Sequence, residues 1–183
     1  MEKLVYENAV EGLFIKGFGK QLSPTLKAAM KEVGIDVDAP LKTSYPGDIV
    51  NRCTQLLREH VFRHESDDAK AYAALGSKTL DGYFDTLLGR AMVGVLRVVG
   101  YERIIDRLPR QMASGSNYQF VEVKRVKPGE AEVSCSDYQP HPAINLGVLT
   151  RAFTHYFPAP DFKMEILRVE PARCLYRMTW KPG

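Results

Sequence analysis

Apolar residues recur at helical spacing through roughly the first two thirds of the chain and at every second position through much of the rest. Val10, Leu13, Phe14 and Phe18 predict a short helix within residues 5–19. Ser23-Pro24 reads as an N-cap followed by proline in the first turn, and Leu26, Met30 and Val33 line one face of a helix that Gly34 ends. Tyr45-Pro46 is expected to open the next helix, with Ile49, Cys53, Leu56, Leu57 and Val61 along its buried stripe. Ser66, ahead of Asp67 and Asp68, marks another start, because early acidic residues suit the positive end of a helix. Tyr72, Leu75, Leu80, Tyr83, Phe84 and Leu87 follow as its apolar side, with a break expected near Gly76-Ser77. Residues 88–99 are apolar nearly all round, which predicts a central, buried helix. Gly100 ends it, and a shorter amphipathic helix over 101–112 buries Ile104, Ile105 and Leu108.

Beyond Ser114-Gly115-Ser116-Asn117 the period changes to two. Residues 118–126 and 131–136 flank Lys127-Pro128-Gly129-Glu130, a strong hairpin turn. Pro142 opens a helix with Ile144, Val148, Leu149, Ala152 and Phe153 on one face, and Pro158-Ala159-Pro160 stops it. Phe162, Met164 and Ile166, then Cys174, Tyr176, Met178 and Trp180, alternate around Glu170-Pro171 as a second hairpin. The expected fold class is α+β: a mainly helical half, 1–113, followed by a β-β-α-β-β half, 114–183, whose four-stranded antiparallel sheet packs on helices. A length of 183 residues suits one domain over 1–183 with a core that needs no disulfide.

Composition narrows the partners only a little. The net charge of +3 is spread among interspersed acids and bases, so no nucleic-acid partner is expected. No secretory signal and no apolar run long enough to span a membrane is visible, so a cytoplasmic location is expected. Cys53, Cys135 and Cys174 are widely spaced and read as buried free thiols in a reducing compartment.

Chemistry-bearing motifs are weak. His60 and His64 stand four apart on one helix, but no third ligand is specified, and solvated helix-end histidines are the simpler reading; no metal is expected. Ser134-Cys135-Ser136-Asp137 lacks a nucleophile elbow, and His141 and His155 have no partner at a telling spacing. Gly17-Phe18-Gly19 and Gly115-Ser116-Asn117 do not form a phosphate-binding loop. Arg90, Arg97, Arg103, Arg107 and Arg110 recur over 88–112, where Glu102 and Asp106 dilute their field; they read as a solvated face with local ion pairs, or as an anion-binding or protein-docking patch. An enzyme centred on His141 or Cys135 remains a third possibility, but no acid–base pair is legible and catalysis is not expected.

Several short motifs carry a resemblance. Val10-Glu11-Gly12-Leu13-Phe14-Ile15, Tyr45-Pro46, Gly82-Tyr83-Phe84 with Thr86-Leu87-Leu88-Gly89-Arg90-Ala91, Ser114-Gly115-Ser116-Asn117-Tyr118, His141-Pro142 and Tyr176-Arg177-Met178-Thr179-Trp180 together resemble a myxobacterial paralogous family of unknown function. In length and element order that family is similar to haem NO/oxygen-binding domains and to vinyl-4-reductase-type small-molecule-binding domains. The resemblance implies helices packed on a curved antiparallel sheet around an internal ligand pocket. Haem NO-binding domains use a histidine from a helix before the sheet and a Tyr-x-Ser-x-Arg clamp. Residues 65–140 contain no histidine, and no tyrosine is followed by that pattern.

The expected function is therefore a haem-free, non-catalytic sensor or regulatory domain, with no cofactor, that binds a small apolar ligand between its two halves. Tyr83, Phe84, Leu88, Met92, Tyr118, Phe153 and Tyr176 are the candidate pocket residues, each of which core packing would also explain. A partner protein would read the ligand-induced change, and a homodimer is possible. The alternative is a protein–protein interaction module without a ligand.

Overall fold

The structure, a computed structural model, describes residues 1–138 and 140–182; Gln139 and Gly183, within the span assigned to one domain, lie outside the described residues. Local chemistry starts the helices. Ser23 Oγ accepts the Leu26 N–H at 3.2 Å and Pro24 occupies the first turn of α2 (Pro24–Val33). Gly34 then takes φ 130°, where any side chain would be strained. Asp67, rather than Ser66, caps α4 (Asp68–Asp85) by accepting the Lys70 N–H at 3.2 Å.

Two short strands escape the periodicity. β1 (Leu4–Tyr6) pairs antiparallel with β2 (Ser44–Pro46), so Tyr45-Pro46 lies in a strand and α3 starts one residue later (Gly47–Val61). Three residues are too few to show alternation, and what holds β1 comes from far along the chain. Asn117 Oδ1 accepts the Leu4 N–H at 2.8 Å, and Asn117 Nδ2 donates to the Glu2 carbonyl at 3.0 Å. Helix α1 (Glu7–Val10) follows β1 and continues as a π-helix over Glu11–Gly17.

The central helix is α4, not the segment 88–99. It runs unbroken through Gly76-Ser77 because both residues serve its crossing with α7 (Ala143–Arg151). Gly76 leaves room for the Ile144 carbonyl, Gly147 leaves room for that of Ala73, and Ser77 Oγ lies 3.1 and 3.2 Å from the carbonyls of Ala73 and Gly147. On another side Gly82 abuts the backbone of Gly12 and Gly17. By contrast α5 (Leu87–Val99), expected to be buried on every side, runs along the surface and fully buries only Gly89 and Leu96. Hydrophobicity all round permits burial but supplies no neighbour. Gly76 and Gly82 admit other elements' backbones midway along α4, whereas on α5 only Gly89, at the corner, meets a backbone, and a Cβ at Gly94 would meet nothing within 4 Å. Thr86 makes the corner between them, its Oγ1 accepting from the Gly89 N–H at 3.0 Å and donating to the Tyr83 carbonyl at 2.7 Å.

After α6 (Tyr101–Met112) the chain forms β3 (Val121–Lys127) and β4 (Glu130–Ser136), then α7, which continues as a π-helix over Ala152–Tyr156, then β5 (Lys163–Glu170) and β6 (Arg173–Thr179). The sheet is antiparallel in the order β3-β4-β6-β5, the four strands that the alternation predicts. Register places Ala131 opposite Met178, Val133 opposite Tyr176 and Cys135 opposite Cys174, all six essentially inaccessible on the helix-covered face. These residues join α6 and the later part of α7 in one core; a second core lies among α1, α2 and α3, and α4 and α7 contribute to both. No helix of the described residues is long and apolar enough to cross a membrane.

Candidate functional site

A cavity of about 230 Å³ opens between α4, α5, α6 and α7 on the helix-covered side of the sheet. Phe84, Leu96, Ile104, Leu108, Leu149 and Phe153, each buried, supply much of its wall. Its walls arise where amphipathic helices meet without closing: α6 turns Ile104 and Leu108 inward, and α5 contributes Met92 and Leu96 from its one covered side. Among the described lining residues none is charged and none is histidine or cysteine. Such a wall suits a neutral guest, because a buried charge without a partner is costly.

Polar groups gather at the end nearest the α6–β3 connection. Ser114 Oγ donates to the Gln111 carbonyl at 2.7 Å. The Tyr83 hydroxyl lies 3.5 Å from Ser114 Oγ and 3.5 Å from Asn8 Nδ2, too long for either to be a strong hydrogen bond. Its donor capacity is therefore largely uncommitted, at the rim of an apolar space. The Tyr138 hydroxyl, by contrast, is spent on the Glu170 carbonyl at 2.9 Å.

Four of the seven residues expected at the pocket line it: Tyr83, Phe84, Met92 and Phe153. The other three are placed elsewhere. Leu88 is exposed on the outer side of α5. Tyr118 packs on Gly47, beside the β1–β2 pair, with Lys3 Nζ 5.5 Å from its ring centroid. Tyr176 is fully buried in β6 and its hydroxyl donates to the Pro142 carbonyl at 2.8 Å, anchoring the start of α7. Aromatic identity marks at least partial burial of the five rings but cannot say beside which void a ring stops. Gln111, Ser114 and Asn145, which the periodicity passed over, line the cavity; only the turn-forming sequence around Ser114 pointed toward this end.

The residues with latent chemistry lie apart. Cys135 is 1% exposed and burial pushes its thiol up to about 12, so a thiolate nucleophile is not accessible there. His64 Nε2 accepts from Arg63 Nε at 3.0 Å, and among the described residues no group of three or more His, Cys, Asp or Glu side chains could hold a metal ion. His155 is exposed, edge-on to Tyr156. A depression of about 620 Å³ beside α2 is larger than the central cavity, but its charges are already paired as Lys27–Asp38 and Lys31–Asp36.

His141 has a structural task. Its ring stacks on Tyr72 at 4.8 Å and its Nδ1 accepts the Ala143 N–H at 3.1 Å, which requires the lone pair. Burial holds its pKa below the ordinary histidine value. The unfolded chain therefore binds this proton more readily, so the contribution of His141 is present above about pH 6.5 and is lost as pH falls through the lower folded value. Urea denaturation should show falling stability between about pH 7 and pH 5. That slope should flatten in His141→Asn, whose Oδ1 accepts without titrating.

In fold the chain is similar to H-NOX domains. One, a structure concerned with haem distortion in the H-NOX family, superposes with a TM-score of 0.69 at 12% identity, covering 96% of this chain and 95% of the other. An oxygen-binding H-NOX domain related to soluble guanylate cyclases gives 0.66 at 10% identity over 96% and 93%. A mutant of T. Tengcongensis H-NOX gives 0.64 at 12% identity over 91% and 92%. Haem is named for the first of these, and the cavity of this chain does not fit it. The lining residues described include no histidine or thiolate for the iron and no cation for a propionate, and about 230 Å³ is far less than the macrocycle occupies. No curated protein matches the chain in sequence. A family model matches residues 3–181, nearly the whole of the sequence, and the chain belongs to that family, described as a protein of unknown function, DUF2378.

Proposed function

We propose that this protein is a haem-free, non-catalytic sensor domain that binds a small, neutral, largely apolar molecule in the cavity between its helices and its sheet, and that it acts in the cytoplasm. The carrying observation is a cavity whose described wall has no charge and no metal-ligating histidine or cysteine, with one weakly engaged hydroxyl, Tyr83, at its polar end. At ~30 Å³ per water-sized group the space takes a guest of roughly seven to ten non-hydrogen atoms. The H-NOX-like fold supports a ligand-binding role, and three buried, unpaired cysteines suit a reducing compartment. A guest touching both α5 and α7 would bias how these helices pack, and a partner protein would read the change.

The test is chemical. Denaturing the purified protein and analysing the extract by mass spectrometry should release a neutral small molecule in stoichiometric amount, or a panel of fragment-sized neutral compounds should raise the Tm. Ala152→Phe, which fills the cavity, should abolish either signal while leaving a cooperative unfolding transition. Added haemin should give no histidine-ligated Soret spectrum. An empty extract together with a flat panel would remove the sensor reading and leave the interaction module as the better account.

A further inference from the structure

The outer side of α5 has no partner within the chain. On a 3.6-residue helix Leu87, Leu88, Ala91, Gly94, Val95 and Val98 form one stripe, opposite the buried Gly89 and Leu96. Leu87 is 81%, Leu88 53%, Val95 65% and Val98 89% exposed. Isolated exposed aliphatics are ordinary, but a contiguous three-turn stripe on a surface helix marks an interaction site. Arg90 and Arg97, seven residues apart, run together along one flank of the stripe.

Charge identifies the occupant. α5 contains no acidic residue. On α6 the two carboxylates that would offset nearby arginines, Glu102 and Asp106, are both engaged by Arg125 of β3, at 2.7 and 2.9 Å. Among the described residues Arg90, Arg97, Arg103, Arg107 and Arg110 have no carboxylate partner, so the two helices present a net positive edge. A second copy of the chain is a poor fit. An antiparallel pair of α5 helices centred on Gly94 would set Arg90 of each copy near Arg97 of the other. A lipid surface is a poorer fit, because the stripe holds no Trp or Tyr to sit at headgroup level and only Arg90 and Arg97 flank it on α5. Ala91 and Gly94 instead leave space for a second helix to approach closely.

We propose that α5 is the docking face for an amphipathic helix of a partner protein, one whose apolar side is flanked by Asp or Glu on the edge that meets Arg90 and Arg97. This surface is independent of what fills the cavity, although Met92 and Leu96 on the opposite side of the same helix line it.

The experiment uses the full chain and two fluorescent synthetic helical peptides with the same Leu/Ala face, one flanked by Glu and one by Lys. Anisotropy should show the Glu peptide binding at least about tenfold more tightly. The Arg90→Glu/Arg97→Glu double variant should reverse that preference. Val95→Asp should weaken the Glu peptide by about tenfold or more without lowering the Tm, because the site is exposed. Equal affinity for the two peptides, binding of neither, or an unchanged preference in the double variant overturns the proposal. So does capture of the protein on phosphatidylglycerol vesicles that Val95→Asp abolishes, or a sedimenting dimer that the same variant dissociates.

Discussion

Gly147→Leu should leave the protein without a cooperative unfolding transition, and Gly147→Ala should cost about 3 kcal/mol in urea denaturation. A Cβ at Gly147 lands on the Ala73 carbonyl, and the reciprocal position, Gly76, holds the Ile144 carbonyl. Backbone meets backbone on both sides of this crossing, so no side chain can swing away to relieve the overlap. α4 and α7 also contribute to both hydrophobic cores, so prising them apart opens both. Gly94→Ala is the matched control: its Cβ meets nothing, and the gain in helix propensity should stabilise the protein by about 0.5–1 kcal/mol. Equal tolerance at the two positions would show that α4 and α7 do not cross in backbone contact.

Phe153→Ala should destabilise by about 3–5 kcal/mol. The ring is 0% exposed, stacks on Phe162 at 5.2 Å, and forms part of the cavity wall. Removing it forfeits these contacts and joins its volume to a space already present, so the neighbours gain little by relaxing inward. Phe153→Leu, which keeps most of the volume, should cost far less, about 1 kcal/mol. An arene such as indole should raise the Tm of the alanine variant more than that of the parent, because apolar voids accept ring-sized guests. Loss of less than about 1 kcal/mol in Phe153→Ala would mean that the ring is not packed as described.

The cap at Ser23, the stop at Gly34 and the four strands of the larger sheet were legible because their causes are local. Ser23 and Gly34 act on residues within one turn of themselves, and the alternation of Cys174, Tyr176 and Met178 is a direct image of one covered face. The pocket was half legible. Tyr83, Phe84, Met92 and Phe153 reach the cavity, whereas Tyr118 and Tyr176 have the same composition and neighbouring patterns but end against Gly47 and Pro142. β1 was invisible because the Asn117 amide that secures it stands more than a hundred residues away.

Taken alone, the order of apolar and polar residues determined the class of the fold: helices first, then two hairpins around one helix, with the covered face of the second hairpin named residue by residue. Tertiary structure decided which helix is central. Residues 87–99 are the most apolar segment, yet burial requires a neighbour; there only Gly89, at the corner with α4, meets a backbone, whereas Gly76 and Gly82 of α4 and Gly147 of α7 admit backbones from elements distant in sequence. Hydrophobicity sets how much a helix gains from being covered; close approach of two backbones sets which helix is covered, and that depends on pairs of residues distant in sequence.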